Sequence, residues 1–375
     1  MRIDPFEMER MQSRYWHEVE FDLSESGVLP LGIDELLGDQ LDPRVFLSTK
    51  LGYPLSEGSE VTRIAISRWY EGADVRNVTV MNGGSEANHL TLWTLLEPGD
   101  RLAFMIPNYL QGWGLGRHYG KGTDVFRLKR RGDRWALDVD ELNAAVTDAT
   151  KVVMVCNPNN PTGHVLTPEE MDAVIAAAGR VGAWLVCDEI YRGAEVEGED
   201  SSPTFWGRYD KVVVTSGLSK AFAMPGLRIG WVVAPEALIR DIWVRHDYTT
   251  LTPGMVSDVL AGVAMQPRNR RWILARTRSI IRKHLPPLED WLATHGDIFR
   301  YVRPIAGAIT YAEYDLPVAS SDLTERIRAE QSVLLVPGDV FGLGKGIRFG
   351  YGFDIEHTLK GLARVDEVLA DIRRN

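Results

Sequence analysis

The sequence predicts an α/β protein with two domains: a large domain built on a mainly parallel, seven-stranded sheet flanked by helices, and a smaller α+β domain. Three observations lead to this prediction. The chain has 375 residues, which is too long for one ordinary domain and suits two. Seven short β-rich runs alternate with segments of helical apolar spacing, an alternation typical of parallel sheets covered on both faces. The part of the chain from about residue 284 onward has a different pattern.

The strands of the large domain are predicted from short apolar runs rich in β-branched residues. These runs lie at residues 78–81, 101–106, 123–128, 151–156, 184–188, 211–216 and 230–235. Between them, the segment from Ser85 to Leu96 has apolar residues at helical spacing. A second helical segment runs from Pro168 to Val181 after Thr167, a suitable N-cap. The large domain is therefore expected to span residues 50–283.

The smaller domain is expected to span residues 284–375. Two strand-like runs lie close together at 299–302 and 307–314, and a helix follows near Leu323–Glu330. Further short strands are predicted at residues 332–336 and 345–351, before an amphipathic helix that closes the chain from Asp354.

The boundary between the domains is placed at residue 284 because of two adjacent prolines. A long helix is predicted from about Met255 to Lys283, and Pro286 and Pro287 are expected to end it. Residues 1–49 are predicted to form an N-terminal arm associated with the small domain, since they contain no domain-sized pattern of their own.

Composition and charge exclude several classes of protein. Apolar residues make up 45% of the chain and charged residues 25%, as in folded globular proteins. The net charge of −10 predicts no general attraction to nucleic acid or anionic membranes. Cys156 and Cys187 have no metal-ligand spacing and are expected to be buried. No apolar signal-peptide core and no membrane-length apolar stretch is present, so we expect a soluble, cytoplasmic protein.

The segment SGLSKAFAMPGLRIGW, at residues 216–231, contains the most informative lysine of the chain. Lys220 lies just beyond a buried β-run, among small residues, with Ser219 and Arg228 nearby as groups suited to an anion. A lone lysine is usually a surface charge. A partly buried lysine near positive charge has a lowered pKa, which suits Schiff-base chemistry.

Polar residues also follow two of the predicted strands. Asp188 ends the run AWLVCD, where α/β folds bind their ligands, and Tyr191 lies three residues further on. A carboxylate there needs a cationic partner or a protonated ring nitrogen; the alternative is an acid that caps a helix. The segment CNPNNPTGHV, at residues 156–165, forms a defined turn that permits a cis X-Pro bond and directs Asn160 toward the same crevice.

The segment MNGGSEANHL, at residues 81–90, predicts an anion site. Gly84 and Ser85 open a helix directly after a strand, so backbone N–H groups and the helix dipole converge there. The alternative is an ordinary turn. The two standard glycine-rich nucleotide motifs, GxxxxGK[ST] and GxGxxG, are both missing at this turn. By themselves, these residues predict an α/β enzyme with an anion-binding crevice and a candidate Schiff-base lysine.

Together, these segments resemble the fold-type I pyridoxal-phosphate enzymes, within the class I/II aspartate-aminotransferase-like group. The resemblance covers nearly the whole chain, with seven motifs in the family's order. They are YPLSEG (53–58), GGSEA (83–87), PNY (107–109), NPNNPTG (157–163), DEIY (188–191), SGLSKAFAMPGLRIG (216–230) and GIRFG (346–350). The resemblance implies the fold-type I fold and the cofactor pyridoxal 5'-phosphate.

The resemblance also assigns roles around the reacting centre. It implies that Lys220 forms the internal aldimine and then moves the proton between the substrate's Cα and the cofactor. Asp188 would pair with the pyridinium nitrogen. Asn160 and Tyr191 would donate hydrogen bonds to the ring oxygen O3', and Asn160 would also help to bind substrate.

The remaining assigned residues hold the cofactor, the substrate or a partner. Tyr109 is similar to the aromatic residue that stacks on the ring. The phosphate would be held by Gly84, Ser85, Ser219 and Arg228. Arg348 matches the arginine that binds the substrate α-carboxylate. Tyr53 matches the tyrosine that reaches the phosphate of the neighbouring subunit, which implies a homodimer with shared active sites.

Two departures from the family's pattern leave the reaction open. Gly217 stands where many relatives have a hydroxyl, and the stretch DLSESGVLPLG, at residues 22–32, replaces a common Gly-Glu-Pro-Asp sequence. This stretch resembles that of capreomycidine synthases, which cyclise an arginine derivative.

Three functions are therefore considered. The main hypothesis is an aminotransferase that transfers the amino group of an L-α-amino acid to a 2-oxo acid, through pyridoxamine phosphate. The alternative is a same-fold enzyme with another outcome, such as a lyase, cyclase or oxidase. A non-catalytic pyridoxal-phosphate-binding regulator is disfavoured, because the catalytic pattern begins within about 50 residues and the net charge is negative.

Overall fold

The computed structural model describes residues 3–38 and 42–374, and it contains three sheets. Residues 1, 2 and 39–41 of the predicted N-terminal arm and residue 375 of the predicted C-terminal domain lie outside the described residues. In chain order the strands are β1 Phe21–Asp22, β2 Val78–Met81, β3 Arg101–Ile106, β4 Gly122–Arg131, β5 Arg134–Leu137, β6 Thr150–Cys156, β7 Trp184–Asp188, β8 Val212–Gly217, β9 Gly230–Val233, β10 Phe299–Tyr301, β11 Ile309–Tyr314, β12 Val333–Leu334, β13 Val336–Pro337 and β14 Gly346–Gly350.

The large sheet has the strand order β2-β9-β8-β7-β6-β3-β4-β5. The neighbours from β8 to β4 pair in parallel, while β9 runs antiparallel to both of its neighbours. The seven predicted strands are all present, and the mainly parallel sheet is confirmed. The eighth strand, β5, was not predicted. It is a four-residue edge strand that pairs antiparallel with β4, and its short run of alternating burial gives a weak signal.

Helices cover both faces of the large sheet and surround the smaller ones. In chain order they are α1 Glu7–Tyr15, α2 Ile33–Leu37, α3 Pro43–Leu47, α4 Glu60–Ser67, α5 Gly84–Leu95, α6 Gln111–Tyr119, α7 Val139–Ala145, α8 Pro168–Val181, α9 Glu236–His246, α10 Met255–Ala264, α11 Pro267–Thr294, α12 Ser320–Gln331 and α13 Ile355–Arg374. As predicted, α8 begins after Thr167, which forms a capping box with Glu170.

Consecutive residues of the central strands enter two different cores. Val153 and Leu185 belong to the core on one face of the sheet, and Val152 and Val186 belong to the core on the other. A strand buried on both faces must be apolar throughout, which is why these runs read as continuous apolar sequence. Both cysteines are buried, as predicted. Within the described ranges, no helix combines the length and apolarity needed to cross a membrane.

The predicted helix break at Pro286 and Pro287 is wrong. Helix α11 continues through both prolines to Thr294, and Leu285 and Leu288 on either side of them are fully buried. Burial of this apolar face outweighs the lost backbone hydrogen bonds, so packing overrides local propensity. The helix predicted from Met255 is interrupted earlier, where α11 starts with Pro267 at its first turn. The location of the domain boundary stays a prediction.

The N-terminal segment is attached to the C-terminal part of the chain through its backbone. Strand β1 pairs in parallel with β12, and the carbonyl of Leu23 accepts a hydrogen bond from the N–H of Gly350 at 2.9 Å. A second small sheet has the antiparallel order β10-β11-β14-β13. These pairings place the residues that follow β1 beside β14, which carries Arg348.

Candidate active site

A cavity of about 580 Å³ lies at the carboxyl ends of β6 and β7, where α/β folds place their ligands. The N-terminal segment forms its opposite wall. Nine of the predicted site residues line it: Gly84, Ser85, Tyr109, Asn160, Asp188, Tyr191, Ser219, Lys220 and Arg228. A larger cavity of about 730 Å³ lies between α1, α6 and α12 and contains none of them. The chemistry-bearing side chains therefore identify the smaller cavity as the candidate site.

Lys220 follows β8 and forms an ion pair that was not predicted. Its Nζ donates a hydrogen bond to Oε1 of Glu25 at 2.8 Å, and the two side chains are 23% and 24% exposed. Burial is the largest single effect and lowers the pKa of Lys220, but the charge of Glu25, its hydrogen bond to Lys220 and the nearby Tyr191 together outweigh burial and raise it. The expectation of a lowered lysine pKa is therefore wrong in this structure. Burial would likewise raise the pKa of Glu25, yet Lys220 holds it at about 2.

Asp188 ends β7 as a half-buried carboxylate held by two neutral donors. Its Oδ2 accepts a hydrogen bond from Asn88 Nδ2 at 2.8 Å, and its Oδ1 accepts one from the N–H of Ile190 at 3.0 Å. Asn88 is itself fixed by Thr215, whose hydroxyl donates to Asn88 Oδ1 at 2.6 Å. Burial raises the pKa of Asp188, partly offset by Asn88 and Ile190.

These contacts decide between the two interpretations of Asp188. No α-helix begins at this residue, so it is not a helix cap. Throughout residues 3–38 and 42–374 no cationic side chain forms an ion pair with it, and its half-buried carboxylate at the cavity therefore suits a cationic group of a ligand. Asn88, one turn after Gly84 on α5, was missed by sequence reasoning, although its helical spacing from the predicted anion site was a usable signal.

The turn after β6 positions Asn160 against Arg348. The Asn157–Pro158 and Asn160–Pro161 bonds are both cis, as the sequence permitted. Arg348 Nη1 donates to Asn160 Oδ1 at 3.0 Å, and Nη2 donates to the carbonyl oxygen of Ser24. Arg348 does not line the cavity directly but lies one side chain behind it, and its Nε is buried with no partner among the described residues. Because the guanidinium is fully buried behind Asn160, its predicted role in binding the substrate carboxylate stays a prediction.

Tyr191 and Tyr109 bring aromatic rings to the cavity. Tyr191 is 3% exposed, and burial raises the pKa of its hydroxyl, although Lys220 and Arg348 oppose that shift. Tyr109 donates a hydrogen bond from its hydroxyl to Oε1 of Glu9 at 2.9 Å. Burial, together with Glu9, raises the pKa of Tyr109 as well.

The start of α5 forms an anion cradle with Arg228. Gly83 has a φ of 100° and no side chain caps the helix, so the first N–H groups of α5 have no side-chain acceptor. A Cβ on Gly83 would collide with the guanidinium of Arg228, and a Cβ on Gly230 would collide with the backbone of Gly83 and Gly84. Arg228 pairs with no carboxylate of the described chain, so its charge is available to an anion.

The residues next to Lys220 account for one departure noted in the sequence. Ser219 lines the cavity, whereas Ser216 is buried and donates to the carbonyl oxygen of Glu189 at 3.2 Å. A Cβ on Gly217 would lie 2.8 Å from the carbonyl oxygen of Ile229, so there is no room for a hydroxyl-bearing residue at this position.

Besides Arg348, Tyr53 is the other predicted site residue that does not line the cavity. Its side chain is 84% exposed, and Leu51 and Leu55, two residues away on either side in the sequence, are exposed as well. Within one chain, then, Tyr53 takes no part in the candidate site.

Comparison with known proteins gives matches over most of the chain. A family model described as "Aminotransferase class I and II" matches residues 46–365. Capreomycidine synthase of Streptomyces vinaceus is 28% identical over 366 residues, or 96% of this chain and 92% of that enzyme. A PLP-dependent aminotransferase from Streptococcus suis superposes with a TM-score of 0.91 and 28% identity, covering 99% of both chains. The PLP-dependent cyclase OrfR superposes with a TM-score of 0.88 and 29% identity, covering 99% of this chain and 98% of that one.

Proposed function

This chain belongs to the class I and II aminotransferase family, and from that premise we propose that it is an aminotransferase dependent on pyridoxal 5'-phosphate. It would transfer the amino group of an L-α-amino acid to a 2-oxo acid. The observation that carries the proposal is the position of Lys220 and Asp188 in one cavity, next to an unpaired anion cradle. An amine, a half-buried carboxylate and an anion site together match the aldehyde, ring nitrogen and phosphate of this cofactor.

The side chains of the cavity fit the cofactor group by group. The cradle formed by the start of α5 and Arg228 would hold the phosphate. Asp188, a half-buried carboxylate without a cation in the described chain, would pair with the protonated ring nitrogen. Tyr109 and Tyr191 offer the aromatic and phenolic contacts of the ring. When bound, the cofactor supplies an electron sink for the charge left at the substrate Cα after proton removal.

The residues around the cofactor have separate tasks in the reaction. Asp188, oriented by Asn88, would keep the ring nitrogen protonated, since a carboxylate stabilises a nearby cation. Arg348, with its unpartnered Nε and its bond to Asn160, would bind the substrate α-carboxylate. Nζ of Lys220 would then remove and return the proton at Cα, which requires that it be released from Glu25 as a neutral amine.

A second candidate function is supported by two of the comparisons. Capreomycidine synthase and the cyclase OrfR match nearly the whole chain, so the same site is compatible with a cyclase. Both reactions begin with loss of the Cα proton and differ in their later steps. Product analysis separates them, since an aminotransferase yields a 2-oxo acid, whereas a cyclase yields a ring product and retains the substrate nitrogen.

We further propose a homodimer with shared active sites. Tyr53 is far more exposed than is usual for tyrosine, and its sequence neighbours Leu51 and Leu55 are exposed apolar side chains too. An apolar surface of this kind is typical of an interface. A second copy would cover it and bring Tyr53 to the partner's phosphate cradle.

A half-reaction screen tests the proposed activity. The holoenzyme is mixed with each L-amino acid, and absorbance near ~420 nm should decrease while the pyridoxamine band near ~330 nm grows. Borohydride reduction and peptide mapping should find the pyridoxyl label on Lys220. Lys220→Ala should retain cofactor but lose turnover, whereas Lys211→Ala, a surface control, should behave as wild type. A label on another lysine would contradict the site.

A further inference from the structure

The Glu25 carboxylate is held rigidly at the wall of the cavity, with one oxygen free. Oε1 accepts hydrogen bonds from Lys220 Nζ and from the N–H groups of Ser26 and Gly27, at 2.8, 2.9 and 2.8 Å. Oε2 accepts none from any residue that the structure describes. A carboxylate fixed by three donors cannot turn away from the cavity, so its second oxygen remains available to a ligand.

Two further carboxylates line the same cavity without a cationic partner. Asp22 Oδ1 accepts hydrogen bonds from the N–H and hydroxyl of Ser24, at 2.8 and 2.6 Å. Glu9 Oε1 accepts one from Tyr109. The second oxygen of each has no hydrogen-bond donor in the described chain, and neither side chain forms an ion pair there. The cavity wall therefore carries three carboxylates, and of these only Glu25 forms an ion pair within the described chain.

The cations that face this wall are committed elsewhere during the proposed reaction. Lys220 would lose its positive charge when it acts as a base. Arg348 would be neutralised by the substrate α-carboxylate, and it already feels all three carboxylates, which oppose the lowering of its pKa by burial. Apart from His17, which also lines the cavity, bound substrate would then face three carboxylates with no other uncommitted cationic side chain from the described residues that line it. Uncompensated charges are costly in a partly buried site, so the substrate itself must supply a cation.

We propose that Glu25, together with Asp22 and Glu9, binds a cationic side chain of the substrate, so that the amino donor is a basic L-amino acid. This inference rests on the proposed function, which places the α-carboxylate at Arg348 and the α-amino group at the cofactor. The α-amino group is thereby consumed in the reaction, and only a second, side-chain cation can remain at Glu25. A dicarboxylic amino acid would add a further negative charge and is excluded by the same wall.

The test measures binding to the holoenzyme by calorimetry with three probes that lack an α-amino group and so cannot react. They are δ-guanidinovalerate, its neutral analogue δ-ureidovalerate, and the dicarboxylate glutarate. Wild type should bind the guanidino probe about tenfold or more tighter than the ureido probe, as expected for a hydrogen bond to a charged group. Glutarate should bind most weakly.

Two variants and a matched control test whether the carboxylates of the cavity wall cause the preference for the guanidino probe. Glu25→Gln keeps an oxygen for Ser26 and Gly27 but removes the charge, and it should reduce the guanidino preference about tenfold. Asp22 does not contact Lys220, and Asp22→Asn should also reduce the preference for the guanidino probe. This second variant decides the question if Glu25→Gln fails to retain cofactor. Glu18→Gln, an exposed residue outside the cavity, should leave all three affinities unchanged.

The outcomes separate this inference from the proposed function. Equal affinity of wild type for the guanidino and ureido probes, tighter binding of glutarate, or an undiminished preference in cofactor-loaded Glu25→Gln would overturn the inference. These results leave the aminotransferase proposal intact, since the half-reaction screen reports on it separately. Conversely, a guanidino preference that depends on Glu25, with no amino acid forming the pyridoxamine band, would support the cation site and reject transamination.

Discussion

The Asp188 carboxylate is half-buried and held only by neutral hydrogen-bond donors, and this combination makes its charge the property to test. Asp188→Asn preserves the shape of the side chain but removes the charge that would keep a ring nitrogen protonated. We expect the cofactor to stay bound and Cα proton removal to slow about a thousandfold or more, a loss of ~4 kcal/mol of transition-state stabilisation. Stopped-flow absorbance measures this step. Asp210→Asn, at an exposed position, is the control, and a variant at position 188 that keeps most of its rate would reject the assigned role.

The Glu25–Lys220 pair also predicts how stability changes with pH. A carboxyl whose pKa is lowered by folding stabilises the protein above its unfolded pKa near 4.5, and that contribution is lost as the pH falls toward about 2. The contribution is at most about 3 kcal/mol near neutral pH. In the cofactor-free protein, Glu25→Gln should therefore lower the unfolding temperature most above pH 5, and the difference from wild type should narrow toward pH 3. A difference that is constant across this range would show that the pair does not stabilise the fold.

At the scale of elements, the close approach of β9 to the start of α5 sets the shape of the anion cradle. Because a Cβ on Gly230 has no space beside the backbone of Gly83 and Gly84, Gly230→Ala should displace the first turn of α5 from Arg228. We expect cofactor affinity to fall at least tenfold and stability to fall by about 1–3 kcal/mol. Gly99→Ala is the matched control, since a Cβ there meets no atom within 4 Å and Gly99 does not line the cavity. Fluorescence titration of the cofactor gives the affinity, and equal effects of the two variants would contradict the packing argument.

Elements also show where sequence reasoning succeeds. The seven apolar strands and helix α8 are predictable because burial on two faces and a capping box leave local signals. Strand β5 and the uninterrupted α11 are not, because a four-residue edge strand has little signal and the prolines of α11 are tolerated only through contacts with distant residues. The residues of the candidate site also differ in whether their sequence position reveals them. Lys220 and Asp188 follow strands and can be located by position, whereas Glu25 lies 195 residues from Lys220 in sequence, and only the fold brings them together.

At the scale of the whole molecule, the exposed Tyr53 predicts complementation between subunits. Mixing inactive Lys220→Ala with an inactive Tyr53 variant should restore activity, because one site of each mixed dimer would take Lys220 from one chain and Tyr53 from the other. Up to about a quarter of the wild-type activity per site is expected when random mixing gives half mixed dimers with one intact site each. Activity is measured after the chains have been exchanged and the mixture confirmed.

The control for this experiment pairs two residues of the same cavity. A mixture of Lys220→Ala and Arg228→Ala should show no activity beyond that of the Arg228 variant. Lys220 and Arg228 line the cavity of the same chain, so every site of a mixed dimer lacks one of the two residues. Sedimentation should show a dimer. An active monomer, or no recovery after confirmed exchange with the Tyr53 variant, would reject the shared site.

The attachment of β1 has a consequence for how donor choice can change. The segment around Glu25 is anchored by main-chain bonds: Phe21 N–H to the carbonyl of Ser332, Leu23 N–H to that of Leu334, and Gly350 N–H to that of Leu23. Main-chain bonds do not depend on side-chain identity, so residues 22–26 can be exchanged as a cassette while the strand stays anchored. Selectivity can then be redesigned, or diverge between paralogues, through changes at residues 22–26 alone, without altering Lys220 or its supporting sheet.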